Sequence, residues 1–311
     1  MRFSRALLFS LSVACTEKRE ESAVAVPPPP SDSQVREPVA IGPFRLPEVG
    51  PVFPELANAE DGRWVALADE RGTAVFMTTL HPDKRRAFAL AHVFAFDLRQ
   101  LTLEPVAGTA EPRTDTAEGA GFTRSGRVPA RALSHLFVAF TGAASDGSWG
   151  MRVDGVTIAS RRASGCVLAP DPASGGVRLA PTPPEQASVE PGGAWWRETG
   201  PCAYVDGVAQ SNPLAADDAA ADRAALGHDA SGATLFVGFG EVMTASAMAG
   251  ALRHAGAVSV APLAGSARIA VFSRDPNGAL TARVPLSRFP PKDGEFVDAP
   301  SAADFFCLSR R

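Results

Sequence analysis

Five Asp-Gly pairs punctuate this chain, and they limit what it can fold into more than any other feature of the sequence. Asp-Gly readily supplies the positive φ angles of tight hairpin turns, so each pair predicts a turn between short elements. The 28 glycines and 27 prolines add further breaks and favour many short strands over long helices. The pairs are Asp61-Gly62, Asp146-Gly147, Asp154-Gly155, Asp206-Gly207 and Asp293-Gly294.

Apolar runs between the turns predict β-strands. These runs cover residues 74–80, 89–96, 101–103 and 136–140. One helix is predicted after Thr244, because Thr244 or Ser246 can cap it, apolar residues recur on one face, and Gly256 ends it. The apolar runs before and after this helix complete a strand, helix, strand unit. A second, shorter helix is expected within residues 126–135.

Composition places the chain among ordinary globular proteins. Hydrophobic residues make up 45% and charged residues 21%, and the length allows about two domains or one large one. The formal net charge of −4 provides no general attraction for polyanions. Nucleic acid is therefore not an expected partner.

The first 15 residues predict an export signal. Arg2 and Arg5 precede a short apolar run that is too short to span a bilayer. Small residues before Cys15 resemble a lipobox, which predicts cleavage before Cys15, its acylation and attachment to a membrane of the cell envelope, periplasmic or at the surface. Ordinary secretory cleavage is the alternative. The Pro-rich stretch over residues 16–45 predicts a disordered tether.

Three cysteines remain after Cys15. An exported protein lies in an oxidising compartment, so one disulfide and one free thiol are expected. Cys166 and Cys202 each lie near a turn-rich stretch beside a short strand, whereas Cys307 lies in an aromatic segment typical of a buried thiol. We therefore predict a Cys166–Cys202 disulfide. Cys-x-x-Cys and paired histidines at ligand spacing are missing from the sequence, which argues against a zinc site.

Several motifs occur in an order that resembles the phosphodiester glycosidase domain family. The motifs are Phe140-Thr141-Gly142, residues 150–156, residues 202–207 and the segment Asp222-Arg223-Ala224-Ala225-Leu226-Gly227-His228-Asp229 with the strand and helix that follow it. The resemblance implies an α+β fold with a mixed β-sheet over residues 136–311. It also implies a β-rich N-terminal extension over residues 46–135.

Two positions depart from the pattern of that family. Where the family has Asn-Gly-Gly-Phe, this chain has Thr141-Gly142-Ala143-Ala144, and where it has Leu-Asp, this chain has Leu263-Ala264. Loss of a general acid or base costs about 10²- to 10⁴-fold in rate. The departures predict a pseudoenzyme, a catalytically degenerate protein that still binds a glycan or sugar phosphate. The sequence assigns no residue to catalysis and indicates no particular cofactor.

Four residues are predicted to bind this ligand. Arg223 suits an anion, although a structural Arg223 is an equal alternative. Thr141 and Gly142 lie at the end of a predicted strand. Trp196, in the run Trp195-Trp196-Arg197, offers a face for sugar stacking and Arg197 a grip on phosphate, unless one of the tryptophans is core.

The alternative function is an active phosphodiester glycosidase that uses other carboxylates. The candidates are Asp146, Asp154, Asp229 and Glu241. His81 beside Asp83 is the one histidine that merits attention as a site. The Asp217-Asp218 pair is expected in a solvated loop, and no metal site is predicted.

Overall fold

The structure, a computed structural model, describes residues 44–311 except 70, 143–148, 163, 183–192, 211–218, 264–266, 276 and 278. The predicted signal, Cys15 and most of the tether lie outside the described residues. Residues 41–311 form one compact unit. None of the described helices is both long and apolar enough to cross a membrane.

Short strands dominate the described residues. In chain order the strands are β1 (Val65–Asp69), β2 (Gly72–Leu80), β3 (Ala91–Asp97), β4 (Leu101–Val106), β5 (Leu136–Thr141), β6 (Met151–Val153), β7 (Val156–Ala159), β8 (Cys166–Asp171), β9 (Gly176–Pro181), β10 (Trp196–Thr199), β11 (Tyr204–Val205), β12 (Val208–Ala209), β13 (Ala221–His228), β14 (Thr234–Met243), β15 (Ser259–Leu263), β16 (Ile269–Arg274), β17 (Leu280–Arg283) and β18 (Phe305–Arg310). The helices are α1 (Ala117–Ala120), α2 (Ala130–Leu133) and α3 (Ala245–His254), and a 3₁₀ turn covers Pro54–Leu56. The expected α+β class is confirmed.

The strands form three sheets. The first sheet has the order β1-β2-β3-β14-β13-β15-β11-β12, the second β7-β6-β10-β8-β9, and the third β17-β16-β5-β18-β4. Neighbouring strands pair antiparallel, and the parallel pairings described are two isolated bridges. All four predicted apolar runs coincide with strands, namely β2, β3, β4 and β5.

The first sheet is covered on both faces. Alternate side chains of a strand point to opposite faces, so adjacent residues such as Phe236 and Val237 enter different cores. Val237 joins the cluster shared with the second and third sheets, and Phe236 joins the cluster under α3. The outer face of the third sheet carries another cluster, around Phe296 and Phe305. The result is a layered α+β unit centred on the eight-stranded sheet.

The predicted strand, helix, strand unit is present. The Thr244 side chain caps α3 by accepting a hydrogen bond from the Ala247 N–H at 3.1 Å. The chain leaves β14, passes through α3 and returns as β15, and β13 lies between these two strands. A Cβ atom on Gly238 of β14 would collide with Leu252 of α3, so glycine at this position lets the helix pack closely on the sheet.

Two of the Asp-Gly pairs form hairpins of the predicted kind. Asp154 and Gly155 have φ of 49° and 79° between β6 and β7, and Asp206 and Gly207 have 48° and 84° between β11 and β12. Positive φ at both central residues is the signature of the type I′ turn. Asp146-Gly147 lies outside the described residues.

The segment expected as an N-terminal extension is continuous with the rest of the fold. Strand β3 pairs with β14 over seven residues, and β4 pairs with β18 over six. Strands from before and after residue 135 therefore share the first and the third sheet. Among the described residues, backbone pairing therefore links residues 46–135 to the strands that follow them in the chain.

Candidate functional site

Thr141 and Gly142 lie where β5 ends, and the protein itself occupies their polar groups. Thr141 is 3% exposed. Its N–H donates to the Arg268 carbonyl at 2.9 Å, and its hydroxyl oxygen accepts from the Arg268 N–H at 2.7 Å. The Gly142 N–H donates to the Asp304 carbonyl at 3.2 Å, and a Cβ at Gly142 would lie 2.6 Å from the Phe306 ring. This strand end is built tightly against β16 and β18.

A fully buried ion pair lies beside Gly142. Arg197 Nε donates to Asp304 Oδ2 at 2.7 Å, and Arg197 Nη2 donates to Asp304 Oδ1 at 3.1 Å. The third nitrogen, Nη1, donates to the carbonyls of Trp149, Gly150 and Glu198 at 2.6–2.9 Å. Both side chains are at most 1% exposed. Arg197 is therefore a structural residue in this state and not the predicted grip for a phosphate.

The next residue, Glu198, is buried as well. Its carboxylate accepts hydrogen bonds from the N–H groups of Gly150 at 2.9 Å and Arg162 at 2.8 Å. Burial raises the pKa of the Glu198 carboxyl above its usual value. Those N–H groups and the positive charges of Arg197 and Arg161 oppose the rise, so burial is the dominant effect.

This raised pKa predicts a pH dependence of stability. Folding penalises the charged form of Glu198, so its contribution is most favourable at low pH and declines as pH rises above about 4.5 toward the folded pKa. We expect the unfolding free energy of wild type, minus that of Glu198→Gln, to fall across this window and then level off. Urea denaturation at a series of pH values measures the difference. A difference that rises with pH contradicts the prediction.

Trp196 does not present a sugar-stacking face. Its side chain is fully buried with Val167 and Ala169, and the Arg161 guanidinium lies 6.0 Å from the ring centroid. Trp195 is partly buried, with its ring edge-on to Phe306 at a centroid distance of 6.5 Å. The Trp196 ring points into the core. The alternative reading, in which one of the two tryptophans is a core residue, therefore applies to Trp196.

Arg223 lies in β13 on the face of the first sheet that carries α3. It pairs with Gly240 of β14, and a Cβ at Gly240 would lie 2.7 Å from Met248 of α3. Arg223 Nη2 donates to the Ala219 carbonyl at 2.8 Å, and the side chain is partly buried. The structure therefore does not bring Arg223 together with Thr141, whose strand packs on the opposite face. Ala264 lies outside the described residues.

Two carboxylates that flank one guanidinium lie at the same end of β13 and β14. Arg288 Nε is 3.6 Å from Asp222 Oδ2 and 3.7 Å from Glu241 Oε2. A register shift between Ala221 and Arg223 and the positive φ of Val242, 50°, mark a β-bulge at this point. Bulges are common beside functional sites because they redirect side chains. We call Asp222, Glu241 and Arg288 the bulge cluster.

The bulge cluster is accessible to a ligand. Its three side chains are 35%, 42% and 58% exposed for Asp222, Glu241 and Arg288. Arg288 precedes Phe289, whose ring packs on Phe239 at 5.6 Å and whose carbonyl accepts from the Ile269 N–H. These contacts place the cluster near the strand that continues from Arg268. The sequence predicted Glu241 as a candidate carboxylate but not Asp222 or Arg288, because the three are distant in sequence and become neighbours only in the fold.

The other predicted carboxylates have local roles. Asp154 forms an exposed ion pair with Arg131 at 3.0 Å. Asp229 shapes the β13–β14 hairpin by accepting from the Ser231 hydroxyl and the Thr234 N–H. Asp146 lies outside the described residues.

His81 is paired with a different aspartate from the one beside it in sequence. Its Nδ1 lies 2.7 Å from Asp61 Oδ2, and both side chains are buried. Asp83 instead accepts from the N–H groups of Arg85 and Arg86. Within the described part of the chain, no three His, Cys, Asp or Glu side chains group closely enough to hold a metal ion.

The Cys166–Cys202 disulfide is confirmed. The two Cα atoms are 4.9 Å apart, and the bond joins β8 of the second sheet to the segment before β11 of the first sheet. Cys307 is a buried free thiol, as expected. Burial raises the pKa of the Cys307 thiol, which keeps it protonated and unreactive.

The chain is similar to a group of solved structures. One is the zebrafish N-acetylglucosamine-1-phosphodiester alpha-N-acetylglucosaminidase catalytic domain auto-inhibited by its pro-peptide, at 15% identity and a TM-score of 0.45 over 80% of this chain and 88% of that chain. A hypothetical protein from Synechocystis matches at 12% identity and a TM-score of 0.47, over 76% of this chain and 62% of that chain. A Burkholderia pseudomallei K96243 protein proposed to be exported matches at 12% identity and a TM-score of 0.28, over 71% of this chain and 74% of that chain.

No protein-family model and no curated protein matches the chain. At these identities and TM-scores, the three structural matches carry no argument about activity. The residues that bear on function are therefore those of the sequence motifs and those at the ends of β5, β13 and β14.

Proposed function

We propose that this protein is an exported member of the phosphodiester glycosidase type that binds a glycan or sugar phosphate and does not hydrolyse it. One observation carries the proposal: the polar groups at the end of β5 are engaged within the protein. The Thr141 hydroxyl accepts from Arg268, and the neighbouring Asp304 carboxylate is paired with Arg197 and buried. Neither group is available to move a proton to or from a substrate.

The proposed ligand contacts the bulge cluster at the open end of the first sheet. Arg288 offers N–H donors that suit a phosphate, and the half-exposed carboxylates of Asp222 and Glu241 can accept hydrogen bonds from sugar hydroxyls. Arg223 lies next to Asp222 in the chain, but on the face of the first sheet that carries α3. The groups of the bulge cluster favour binding of a molecule that is both hydroxylated and anionic.

Export is supported by the signal-like N-terminus and by the disulfide. Disulfides persist in oxidising compartments and are rare in the cytosol. We propose acylation at Cys15 and a tether over residues 16–45, which together would hold the folded unit near a membrane of the cell envelope.

An active glycosidase is the second candidate, and the bulge cluster favours it. Asp222 and Glu241 both lie within 3.7 Å of one Arg288 nitrogen, so the two carboxyl groups are close enough to act as an acid and base pair across a glycosidic bond. Catalysis by such a pair needs one carboxyl that is protonated and donates to the leaving oxygen.

Titration with glycosyl phosphates beside a hydrolysis assay on glycosyl phosphodiesters tests the proposal. We expect binding without turnover, and an affinity about tenfold weaker in Arg288→Gln because a charged hydrogen bond is lost. Arg178→Gln, which removes an exposed arginine from β9, is the matched control and should bind as wild type does.

Turnover by wild type that disappears in Asp222→Asn or Glu241→Gln would establish the second candidate instead. Equal loss of affinity in Arg288→Gln and Arg178→Gln would remove the bulge cluster from the site. Arg223→Gln measures separately whether the motif arginine contributes to binding or only to the fold.

A further inference from the structure

A cavity of about 670 Å³ opens between the first and third sheets, at the end of β5 opposite to Thr141. Its lining comes from β1, the start of β5, the ends of β16 and β17, and Arg310 of β18. The volume falls within the range of small-molecule sites, about 300 to 1,000 Å³. No motif of the sequence analysis falls in this cavity, and the proposed function does not use it.

Four arginines line the cavity, and Arg310 is the most firmly held. It is 7% exposed. Its Nη1 donates to Gln100 Oε1 at 3.2 Å, its Nη2 donates to the Gly72 carbonyl, and its guanidinium lies over the Phe137 ring at 5.0 Å. A cation fixed in this way loses little conformational entropy when a ligand binds.

Arg274 and Arg71 are also oriented by neighbours. Arg274 donates from Nε to the Ser134 carbonyl at 3.3 Å and from Nη2 to the Leu133 carbonyl at 2.6 Å. Arg71 Nη2 lies 3.2 Å from His135 Nδ1. Because a guanidinium only donates, Nδ1 accepts, and a neutral His135 then carries its proton on Nε2 as another donor.

The described lining residues contain no aspartate or glutamate. The fourth arginine, Arg283, is exposed at the end of β17. Asp69 and Glu70 precede Arg71 in the sequence and are not among the described lining residues. Four guanidinium groups around one cavity favour a bound anion.

The rest of the lining is apolar. Leu67, Val271, Phe272, Val284 and Pro285 supply surface for the body of a ligand, beside the arginine side chains. A phosphate can accept from several guanidinium groups at once, because it presents oxygens in three dimensions. A planar carboxylate is satisfied by one or two.

We propose that this cavity binds a phosphorylated small molecule, with the phosphate held among Arg71, Arg274, Arg283 and Arg310 and the organic body on the apolar surface. This site is independent of the bulge cluster. The cavity and the bulge cluster share no residue. The cavity is lined by residues at the start of β5 and the ends of β16–β18, whereas the bulge cluster extends from β13 and β14.

Isothermal titration of the full chain in the Arg288→Gln background, where the bulge cluster is expected to bind about tenfold more weakly, tests this site with glucose 1-phosphate as the probe. Glucose and glucuronate are the neutral and carboxylate comparisons. We expect binding of glucose 1-phosphate only, and a further loss of about tenfold or more when Arg283→Gln or Arg274→Gln is added. Adding Arg178→Gln, with the same change of charge, should have no effect.

Four results would overturn the proposal: no heat with glucose 1-phosphate at millimolar concentration, equally tight binding of glucuronate, binding of glucose, or equal effects of Arg283→Gln and Arg178→Gln. Arg283 is exposed and its replacement does not touch the core. A loss of affinity in Arg283→Gln therefore reports on binding and not on unfolding. Failure of the cavity proposal leaves the bulge cluster proposal unaffected, because the bulge cluster is tested by comparing the affinity of Arg288→Gln with that of wild type.

Discussion

Asp304→Asn is expected to lower the free energy of unfolding by about 3–5 kcal/mol, because it leaves the Arg197 cation buried without its counter-charge. The wild-type pair is bidentate, at 2.7 and 3.1 Å, and both side chains are essentially inaccessible to water. Asparagine keeps the shape of the side chain, so packing changes little and the electrostatic cost dominates. Urea denaturation of wild type and variant measures the difference.

A matched control is the exposed pair of Lys84 and Glu55, at 2.8 Å. Both side chains are more than half exposed, so Glu55→Gln should leave the unfolding midpoint unchanged within error. A similar loss in both variants would mean that burial does not govern the effect. If Asp304→Asn fails to fold, the double variant Arg197→Met with Asp304→Leu removes both charges together and should recover folding.

The cost of breaking this pair reflects what it connects. Arg197 belongs to β10 of the second sheet, and Asp304 directly precedes β18 of the third sheet. The pair therefore fixes the two sheets against each other beside Gly142, and the extra donations of Arg197 to Trp149 and Gly150 hold the start of β6. A buried structural ion pair therefore lies beside the strand end at which the sequence suggested a ligand.

Local patterns in the sequence were sufficient for most elements. Apolar runs predicted β2, β3 and β5, the Asp-Gly pairs predicted the hairpins at Asp154 and Asp206, and the Thr244 cap with Gly256 predicted the limits of α3. Each of these depends on residues within about ten positions of each other. For that reason they are readable without knowing the tertiary structure.

The arrangement of the strands in the sheets could not be predicted from such local patterns. Residues 97–100 join β3 to β4 by a tight turn, which suggests a hairpin, yet β3 pairs with β14 and β4 pairs with β18. The partners lie more than 100 residues away in sequence. Register between distant strands depends on the complete core, which no single segment specifies.

The same limit explains the predicted site. Trp195-Trp196-Arg197 reads as an exposed aromatic and cationic surface, because a buried arginine is rare without a partner. That partner, Asp304, is 107 positions away. Arg223 and Thr141 were grouped because their motifs occur in the order of a family, whereas the pleat of β13 turns Arg223 to the face of the sheet opposite to β5.

Removal of the disulfide, as Cys166→Ser with Cys202→Ser, is expected to lower the free energy of unfolding by about 4 kcal/mol. The bond closes a loop of 36 residues, and the loss of loop-closure entropy in the unfolded chain accounts for roughly that amount. The half-cystines are also buried, and the bond ties the second sheet to the first. Denaturation with and without reductant measures the effect: reductant should destabilise wild type and leave the double variant unchanged.

Because Cys307 is buried and unpaired, Cys307→Ala should keep the sensitivity of wild type to reductant, and a loss of that sensitivity would show that Cys307 takes part in the bond.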